Sequence, residues 1–208
     1  MVREVWTYKD GNVDGYFIAY DENGKLYSEM MYKNDILEGP VYIYYPNGQV
    51  REHYYNKNGK KHGILKIYRE DGTIASETNY KNGVAEGESK FYYENGKLHK
   101  KYNQKSKGNK QNDRNGQDEQ GELVNGSYEE YFEFGGIYIR AGFKNGFPHG
   151  VYRKYYPSGK MLTFEIFNKG HRLFGIFFDD KGKIALVCVG RSCEAWEEGP
   201  EIRFKKRE

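Results

Sequence analysis

Alanine and leucine are scarce in this chain of 208 residues, which contains only 6 alanines and 8 leucines. Because these residues favour helices most strongly, their scarcity excludes a helix bundle. Tyrosine, phenylalanine and glycine take their place, with 21, 12 and 26 copies. Aromatic residues suit a pleated, half-buried surface, and frequent glycines indicate frequent chain reversals. The composition therefore predicts an all-β fold built from short strands.

The chain also lacks a strong charge of one sign and any long apolar run. Its 33 Lys and Arg residues against 30 Asp and Glu residues give a net charge of +3, which is too small to indicate nucleic-acid binding. No apolar run approaches the ~20 residues of a membrane-spanning helix, and the charged N-terminus does not read as an export signal. We therefore expect a soluble, cytoplasmic protein. Export to the cell envelope is the alternative if a leader has been removed.

Cysteine is nearly absent. The two cysteines, Cys188 and Cys193, are too few for a disulfide scaffold, and a zinc site would need histidines in addition. Cys188 follows the apolar residues 184–187, which predicts a buried strand residue rather than a nucleophile. A disulfide between the two cysteines would indicate an oxidising compartment, and the sequence leaves this question open.

A repeat of 24 residues organises most of the chain. It is marked by an opening glycine, by a tyrosine five residues later, and by a second glycine that is nine residues later in all but the last unit. The opening glycines are Gly15, Gly39, Gly63, Gly87, Gly126, Gly150 and Gly175. The tyrosines are Tyr20, Tyr44, Tyr68, Tyr92, Tyr131 and Tyr155. An aliphatic residue or methionine follows eleven residues after six of the opening glycines, from Leu26 to Met161.

Each unit predicts one β-hairpin. In the first unit, Tyr20 leads into a turn that a left-handed Gly24 closes, so Tyr20 and Leu26 should pair across the hairpin. A lone hairpin is marginal in water, so the seven units should stack edge to edge into one antiparallel sheet. The rows of tyrosine and aliphatic residues are expected to form its core. Residues 2–8 should add an incomplete strand at the start.

The repeat domain is expected to occupy residues 1–190, with one interruption. The step between Gly87 and Gly126 is 39 residues, and residues 103–122 contain no aliphatic or aromatic side chain. This composition predicts a disordered, mobile insertion. Residues 191–208 fit no hairpin and are predicted to be a C-terminal cap or tail, in which Trp196 and Phe204 cover the last strand edge.

Two segments carry a resemblance to a known family. They are GPVYIYYPNGQVREHYYNKNGKKHG at residues 39–63 and GVYRKYYPSGKMLTFEIFNKG at residues 150–170, and they resemble the bacterial variant of the MORN repeat. Members of that family include the YwqK-type antitoxins. The resemblance extends over about residues 5–190 except the insertion. It implies an elongated, twisted, single-layer sheet of consecutive hairpins that binds other macromolecules, and it implies no reaction.

No motif in the sequence predicts catalysis, a cofactor or a metal. His62 and His149 each precede an opening glycine, so the repeat itself accounts for them. A phosphate-binding loop, a nucleophile elbow, a zinc-protease motif and a dinucleotide fingerprint are all missing. We therefore predict a protein that is not an enzyme and has no catalytic, cofactor-binding or metal-binding residues.

The tyrosines and the resemblance together predict a protein-binding module, most specifically an antitoxin or immunity protein that neutralises a bacterial toxin domain. Tyrosine is well suited to anchoring interfaces, and Tyr42, Tyr54 and Tyr152 are the predicted anchors on the free face of the sheet. An exported scaffold protein of the cell envelope is the alternative. Base stacking and membrane-surface binding are disfavoured by the small net charge and by the lack of a basic cluster outside residues 205–207.

Overall fold

A computed structural model describes residues 3–104 and 125–195, and these residues form a single antiparallel sheet of sixteen strands. The strands pair in their order along the chain, from β1 at one edge to β16 at the other, and no helix occurs in either described range. The strands are β1 (Glu4–Lys9), β2 (Asn12–Tyr20), β3 (Leu26–Lys33), β4 (Ile36–Tyr44), β5 (Val50–Lys57), β6 (Lys60–Tyr68), β7 (Ile74–Lys81), β8 (Val84–Tyr92), β9 (Leu98–Gln104), β10 (Asn125–Tyr131), β11 (Ile137–Lys144), β12 (Phe147–Tyr155), β13 (Met161–Asn168), β14 (His171–Phe178), β15 (Ile184–Val189) and β16 (Ser192–Ala195). The predicted all-β, single-layer sheet of consecutive hairpins is confirmed.

One edge of the sheet carries the four-residue turns that the repeat predicts. In the first unit Tyr20 and Leu26 are partners in the ladder, and the Gly24 amide donates to the Asp21 carbonyl at 3.0 Å. The Asp21 carboxylate accepts the amides of Asn23 and Lys25 at 2.9 and 2.8 Å. This side chain therefore satisfies the polar backbone of a turn that a left-handed glycine closes.

The opposite edge carries two-residue turns in which both central residues have positive φ, such as Asn58 at 51° and Gly59 at 71°. This geometry matches the twist of the flanking strands and favours Asn followed by Gly. The sequence KNG or KND marks this turn at residues 33–35, 57–59, 81–83 and 144–146, and it is therefore a second turn signal of the repeat. The period alone did not separate it from the rest of the unit.

The opening glycines lie inside strands. They are not at turns, although the abundance of glycine had suggested chain reversals. Gly39 sits in the middle of β4 with φ of 121°, where the ladder with β3 shifts register between Met30 and Tyr32. A Cβ at this position would lie 3.1 Å from the Cβ of Met31. Gly39 is therefore a residue of a β-bulge, whereas the last opening glycine, Gly175, pairs in register with Glu165.

The sheet has two unequal faces. Partners across the ladders share a face, and by this criterion all thirteen buried non-glycine side chains lie on the same one. We call it the packed face and the other the open face. The buried residues are Phe17, Ser28, Val41, Asn56, Leu65, Ser76, Tyr80, Ser89, Ile139, Ala141, Thr163, Glu165 and Cys188.

The predicted core was placed on the wrong face. The hydroxyl groups of Tyr44 and Tyr92 reach the carboxylates of Glu29 and Glu77, which lie on the open face, and the row of repeat tyrosines is half-buried. Four of the buried residues instead follow an opening glycine by two positions, namely Phe17, Val41, Leu65 and Ser89. The spacing correctly predicted the pairs of tyrosine and aliphatic residues but not the face that is filled.

Side chains also link successive turns. The hydroxyl of Tyr45 donates to the Tyr68 carbonyl at 2.9 Å, and Tyr93 and Tyr156 make the equivalent bonds at 2.7 and 2.9 Å. The bond from Tyr93 ends on the Tyr131 carbonyl, which belongs to the first unit after the insertion. The same cross-unit contact therefore joins repeats whether or not they are adjacent in sequence.

The boundaries at the insertion and at the C-terminus differ from those predicted. Asn103 and Gln104 belong to β9, so the predicted insertion of residues 103–122 begins later than expected. Its predicted mobility concerns residues 105–122, which lie outside the described residues, and β10 begins at Asn125. Residues 192–195 form β16 and pair with β15, so the sheet continues past residue 190. The predicted roles of Trp196 and Phe204 also lie outside the described residues.

Candidate protein-binding surface

The open face changes character along the sheet. Through the middle of its strands it begins with aromatic and apolar side chains, continues with charged ones and ends with aliphatic and phenylalanine side chains. The aromatic end consists of Tyr16, Met31, Tyr42, His53, Tyr55 and Ile64. The charged middle consists of Lys66, Glu77, Glu88, Lys90, Lys101, Glu129 and Arg140. The apolar end consists of Val151, Phe164, Ile166, Phe174, Ile176 and Val187.

The aromatic end exposes large apolar side chains on successive strands. Tyr16, Met31, Tyr55 and Ile64 are 60%, 36%, 46% and 48% exposed. Their positions are one or sixteen residues after an opening glycine, so they follow one line across β2 to β6. Neighbouring strands are about 4.8 Å apart, and the line therefore extends over roughly 20 Å.

A stacked cluster lies at the centre of the aromatic end. The Tyr42 ring stacks on His53 with 4.4 Å between centroids and 3° between planes, and it also contacts Tyr44 at 6.5 Å. Burial and the charge of Lys66 lower the pKa of His53, which favours the neutral imidazole. Burial and the Glu29 carboxylate raise the pKa of Tyr44, which keeps its hydroxyl protonated as a donor. The cluster is packed ring against ring and is uncharged apart from Glu29, as suits the centre of an interface.

The charged middle is nearly neutral because its charges pair. Lys66 lies 3.6 Å from Glu77, Lys90 lies 2.8 Å from Glu88, and Glu129 contacts both Lys101 at 3.0 Å and Arg140 at 2.8 Å. Burial acts to raise the pKa of Glu129, but hydrogen bonds from Tyr131, Lys101 and Arg140 outweigh it and lower that pKa. Four cations against three anions give no continuous basic strip. The middle therefore offers little attraction to a polyanion.

The apolar end differs from the aromatic end in chemistry. Val151 is 37% exposed, and Phe164, Ile166 and Phe174 are half-buried. The Arg153 guanidinium lies over the Phe164 ring at 5.5 Å from its centroid. This region has aliphatic packing and no tyrosine hydroxyl in its central row.

The three predicted anchors do not share one surface. Tyr42 lies on the open face, whereas Tyr54 and Tyr152 pair with Val41 and Ala141 on the packed face. Lys61 Nζ lies 4.7 Å from the Tyr54 ring, and Tyr152 meets Phe167 edge to face at 5.8 Å. Burial raises the pKa of Tyr54, and burial with the Glu165 charge raises the pKa of Tyr152 to about 12. Their role in binding a partner stays a prediction.

Sequence reasoning missed Tyr16, Tyr55 and Ile64 as surface residues. A signal for them exists in their distance from the opening glycine, since residues one or three positions after it lie on the open face and residues two positions after it lie on the packed face. A second bulge lies in the strand that follows the four-residue turn, where Tyr20 pairs with Leu26 while Ala19 pairs with Ser28. The alternation of the two faces therefore shifts by one residue in that strand. A residue can therefore be assigned to a face only when the positions of both bulges are known.

The histidines show no shared site. His62 Nδ1 is buried without a hydrogen-bond partner, His149 Nδ1 accepts the Lys169 amide at 3.5 Å, and His99 lies 3.8 Å from Glu130. Within residues 3–104 and 125–195, no three His, Cys, Asp or Glu side chains come together as metal ligands. Nor does this part of the chain contain a helix long and apolar enough to cross a membrane.

These features define an open, single-layer repeat sheet whose surface consists of broad faces. Five segments of the chain match the MORN repeat variant, at residues 13–34, 37–58, 61–82, 85–105 and 148–163. The chain is therefore a MORN-repeat protein, and repeats of this kind are typical of binding modules rather than of enzymes. No curated protein matches the chain.

Proposed function

We propose that this protein is a non-catalytic binding module that holds another protein against the aromatic end of its open face. The observation that carries the proposal is the exposed line of Tyr16, Met31, Tyr55 and Ile64 beside the stacked pair of Tyr42 and His53. Exposed apolar side chains that form one continuous patch mark interaction sites more often than scattered ones do. Tyrosines that are held by packing contribute contact area at little cost in conformational entropy.

The size of the surface favours a protein partner over a small molecule. A typical stable interface covers about 800 Å² and about 20 residues on each partner, whereas the aromatic end consists of six residues. The partner would therefore extend over the charged middle, where the paired charges of Lys66 and Glu77 supply a polar rim. Such an interface acts by occlusion and needs no turnover.

The specific partner that we propose is a bacterial toxin domain, which this protein would neutralise by stoichiometric binding. Support comes from the resemblance of its repeats to those of antitoxin proteins. An interface of tyrosines with a polar rim also suits tight, one-to-one association.

The second candidate function is a scaffold protein of the cell envelope, and one observation favours it. Cys188 and Cys193 form a disulfide, and disulfides persist mainly in oxidising compartments outside the cytosol. The two candidates share the binding surface but differ in location. Fractionation of the source cells separates them: oxidised protein in the envelope supports the scaffold, and cytoplasmic protein that rescues growth from a toxin supports the antitoxin.

The test of the binding surface uses matched alanine variants and the partner recovered by co-purification. Tyr42→Ala and Tyr55→Ala should each weaken binding about tenfold or more, as expected of anchors at the centre of an interface. Val151→Ala, at a similarly open position of the apolar end, should change the affinity less than about twofold. Denaturant midpoints establish that the variants stay folded. Equal affinities for all three variants and the wild type would contradict the proposed surface.

A further inference from the structure

The disulfide joins the last two strands of the sheet. Cys188 of β15 and Cys193 of β16 are partners in the ladder, with their Cα atoms 4.0 Å apart. Cys188 is fully buried on the packed face, whereas all four residues of β16, including Cys193, are exposed. Only one of the two sulfur atoms therefore belongs to a residue that solvent reaches.

The terminal strand has few other attachments. β16 pairs with β15 through four residues, whereas every other ladder except the one between β9 and β10 pairs five to seven, and it buries no side chain. Its remaining described contact comes from Arg172 of β14. The Arg172 guanidinium donates to Cys193 Sγ from Nη2 at 3.3 Å and to the Gly190 carbonyl from Nε at 3.3 Å.

We propose that Cys188 and Cys193 form a thiol–disulfide exchange site, that a dithiol reductant reacts with it at Cys193, and that the reaction detaches β16 from the sheet. The site goes beyond the binding function proposed above and does not depend on it. The reactant is defined by its chemistry: two neighbouring thiols, which can complete the exchange without a second molecule.

The reaction proceeds in two balanced steps. A thiolate of the reductant attacks Cys193 Sγ from the solvent side, the bond between the cysteines breaks, and its electron pair goes to Cys188 Sγ, which takes up a proton. The second thiolate of the reductant then attacks the reductant's own sulfur in the mixed disulfide, and Cys193 leaves as a thiolate. The reductant is oxidised to its disulfide and the two cysteines are reduced to thiols.

Arg172 is the positioning residue of the site. Its guanidinium stabilises a thiolate at Cys193, and a leaving thiol with a lower pKa leaves faster. Glu165 lies 3.5 Å from the other side of the guanidinium and fixes its orientation. Among the described residues of the adjoining sequence, Arg191 and Glu194 carry charge, and Glu194 lies on the opposite face of the ladder from Cys193.

The ladder predicts which amides should respond to reduction. The Gly190 amide donates to the Leu173 carbonyl of β14, so by alternation the Cys188 amide also faces β14 while those of Val187 and Val189 face β16. Detachment of β16 should therefore expose the amides of Val187 and Val189 and leave those of Cys188 and Gly190 protected.

The first experiment measures amide hydrogen exchange in the full chain by NMR before and after reduction with dithiothreitol. We expect exchange at Val187 and Val189 to accelerate at least about tenfold, with Cys188, Gly190 and the amides of β2 to β13 unchanged. Uniform acceleration across the sheet, or no change at Val187 and Val189 once both thiols are free, would overturn the proposal. Cys193→Ser, which removes the bond at an exposed position, should reproduce the reduced pattern without reductant.

The second experiment tests Arg172. Arg172→Gln should slow reduction by dithiothreitol severalfold, Arg172→Lys should restore most of the rate, and Arg153→Gln, which is remote from the cysteines, should have no effect. In a Cys188→Ala background, Arg172→Gln should also raise the pH of half-maximal alkylation of Cys193 by about one unit. An unchanged rate together with an unchanged alkylation profile would show that Arg172 has no part in the exchange.

Discussion

The two faces of this sheet differ in burial, although the same strands form both. Leu65 and Ile64 are adjacent in β6, yet Leu65 is 8% exposed on the packed face while Ile64 is 48% exposed on the open face. Within residues 3–104 and 125–195 the sheet is a single layer, and only the packed face is buried, by contacts among its own side chains. The comparison shows that stability is concentrated on the packed face, which leaves the open face available for binding.

The largest expected effect tests this division directly. Leu65→Ala should lower the free energy of unfolding by about 3 kcal/mol, because it removes a buried side chain and leaves a cavity. Ile64→Ala removes a side chain of the same size from the open face and should cost under about 1 kcal/mol. Denaturant unfolding of both variants measures the difference, and equal costs would show that the faces are not energetically distinct.

A smaller loss of stability is expected from a substitution in the bulge that contains the opening glycine Gly39. Gly39→Ala should cost about 2 kcal/mol, because alanine is strained at φ of 121° and its Cβ would meet Met31 at 3.1 Å. Gly48→Ala shares a positive φ of 86° but meets no atom within 4 Å, so it should cost about 1 kcal/mol. Thermal unfolding of the two variants separates close approach from backbone strain; a Gly39→Ala protein as stable as wild type would remove the steric reason for the bulge.

The tyrosines of the open face should contribute less than a buried row would. Tyr44→Phe should cost about 1 kcal/mol, since it removes only the hydroxyl that donates to Glu29. Tyr44→Ala should cost about 2 kcal/mol, below the 3–5 kcal/mol typical of truncating a fully buried aromatic residue. Urea denaturation with Tyr42→Phe as the control checks both values, and a loss near the upper value would place Tyr44 in the core after all.

The smallest effect concerns alkaline pH. Burial, with the hydrogen bond to Glu77, raises the pKa of Tyr92 from 10.0 to about 12 in the folded state. The folded protein therefore binds more protons than the unfolded chain between these values, so stability is retained below pH 10 and falls as pH rises toward 12. Tyr92→Phe should flatten this fall in a series of denaturant midpoints from pH 9 to 12. A slope identical to wild type would mean that Tyr92 does not couple ionisation to folding.

The period predicted the hairpins well because it is fixed by turn chemistry, which is local. It identified the units that open at Gly126 and Gly175, and the structure forms β10 to β11 and β14 to β15 there, although the matched MORN segments do not extend to either hairpin. The faces were not predictable in the same way. The register shifts differ between units, since β4 has one with β3 and another with β5 while β10 pairs with β9 without one, so a side chain's face depends on the register of its partner strand.

The residues of the candidate surface could also be assigned to a face only in part from the sequence. Tyr42 was predicted to lie on the free face and does, whereas Tyr54 and Tyr152 were assigned to that face on residue type alone and lie on the packed one. Tyrosine suits a packed face as well as an exposed one, because its ring is apolar and its hydroxyl needs only one partner. Residue type therefore identified the chemistry of the surface but not its location.

The bonds between successive turns bear on how this chain tolerates added sequence. Three side chains of one turn, Tyr93, Asn95 and Lys97, donate to carbonyls of the turn that follows the insertion, at residues 131, 133 and 134. These hydrogen bonds depend on where the acceptor carbonyls lie in space, and they do not depend on the number of residues that connect the two strands. The entropy of closing a longer loop grows only slowly with its length, by about 0.6 kcal/mol for each doubling. The connection between β9 and β10 is thus a position where evolution can lengthen the chain while the pairing and register of the strands stay unchanged.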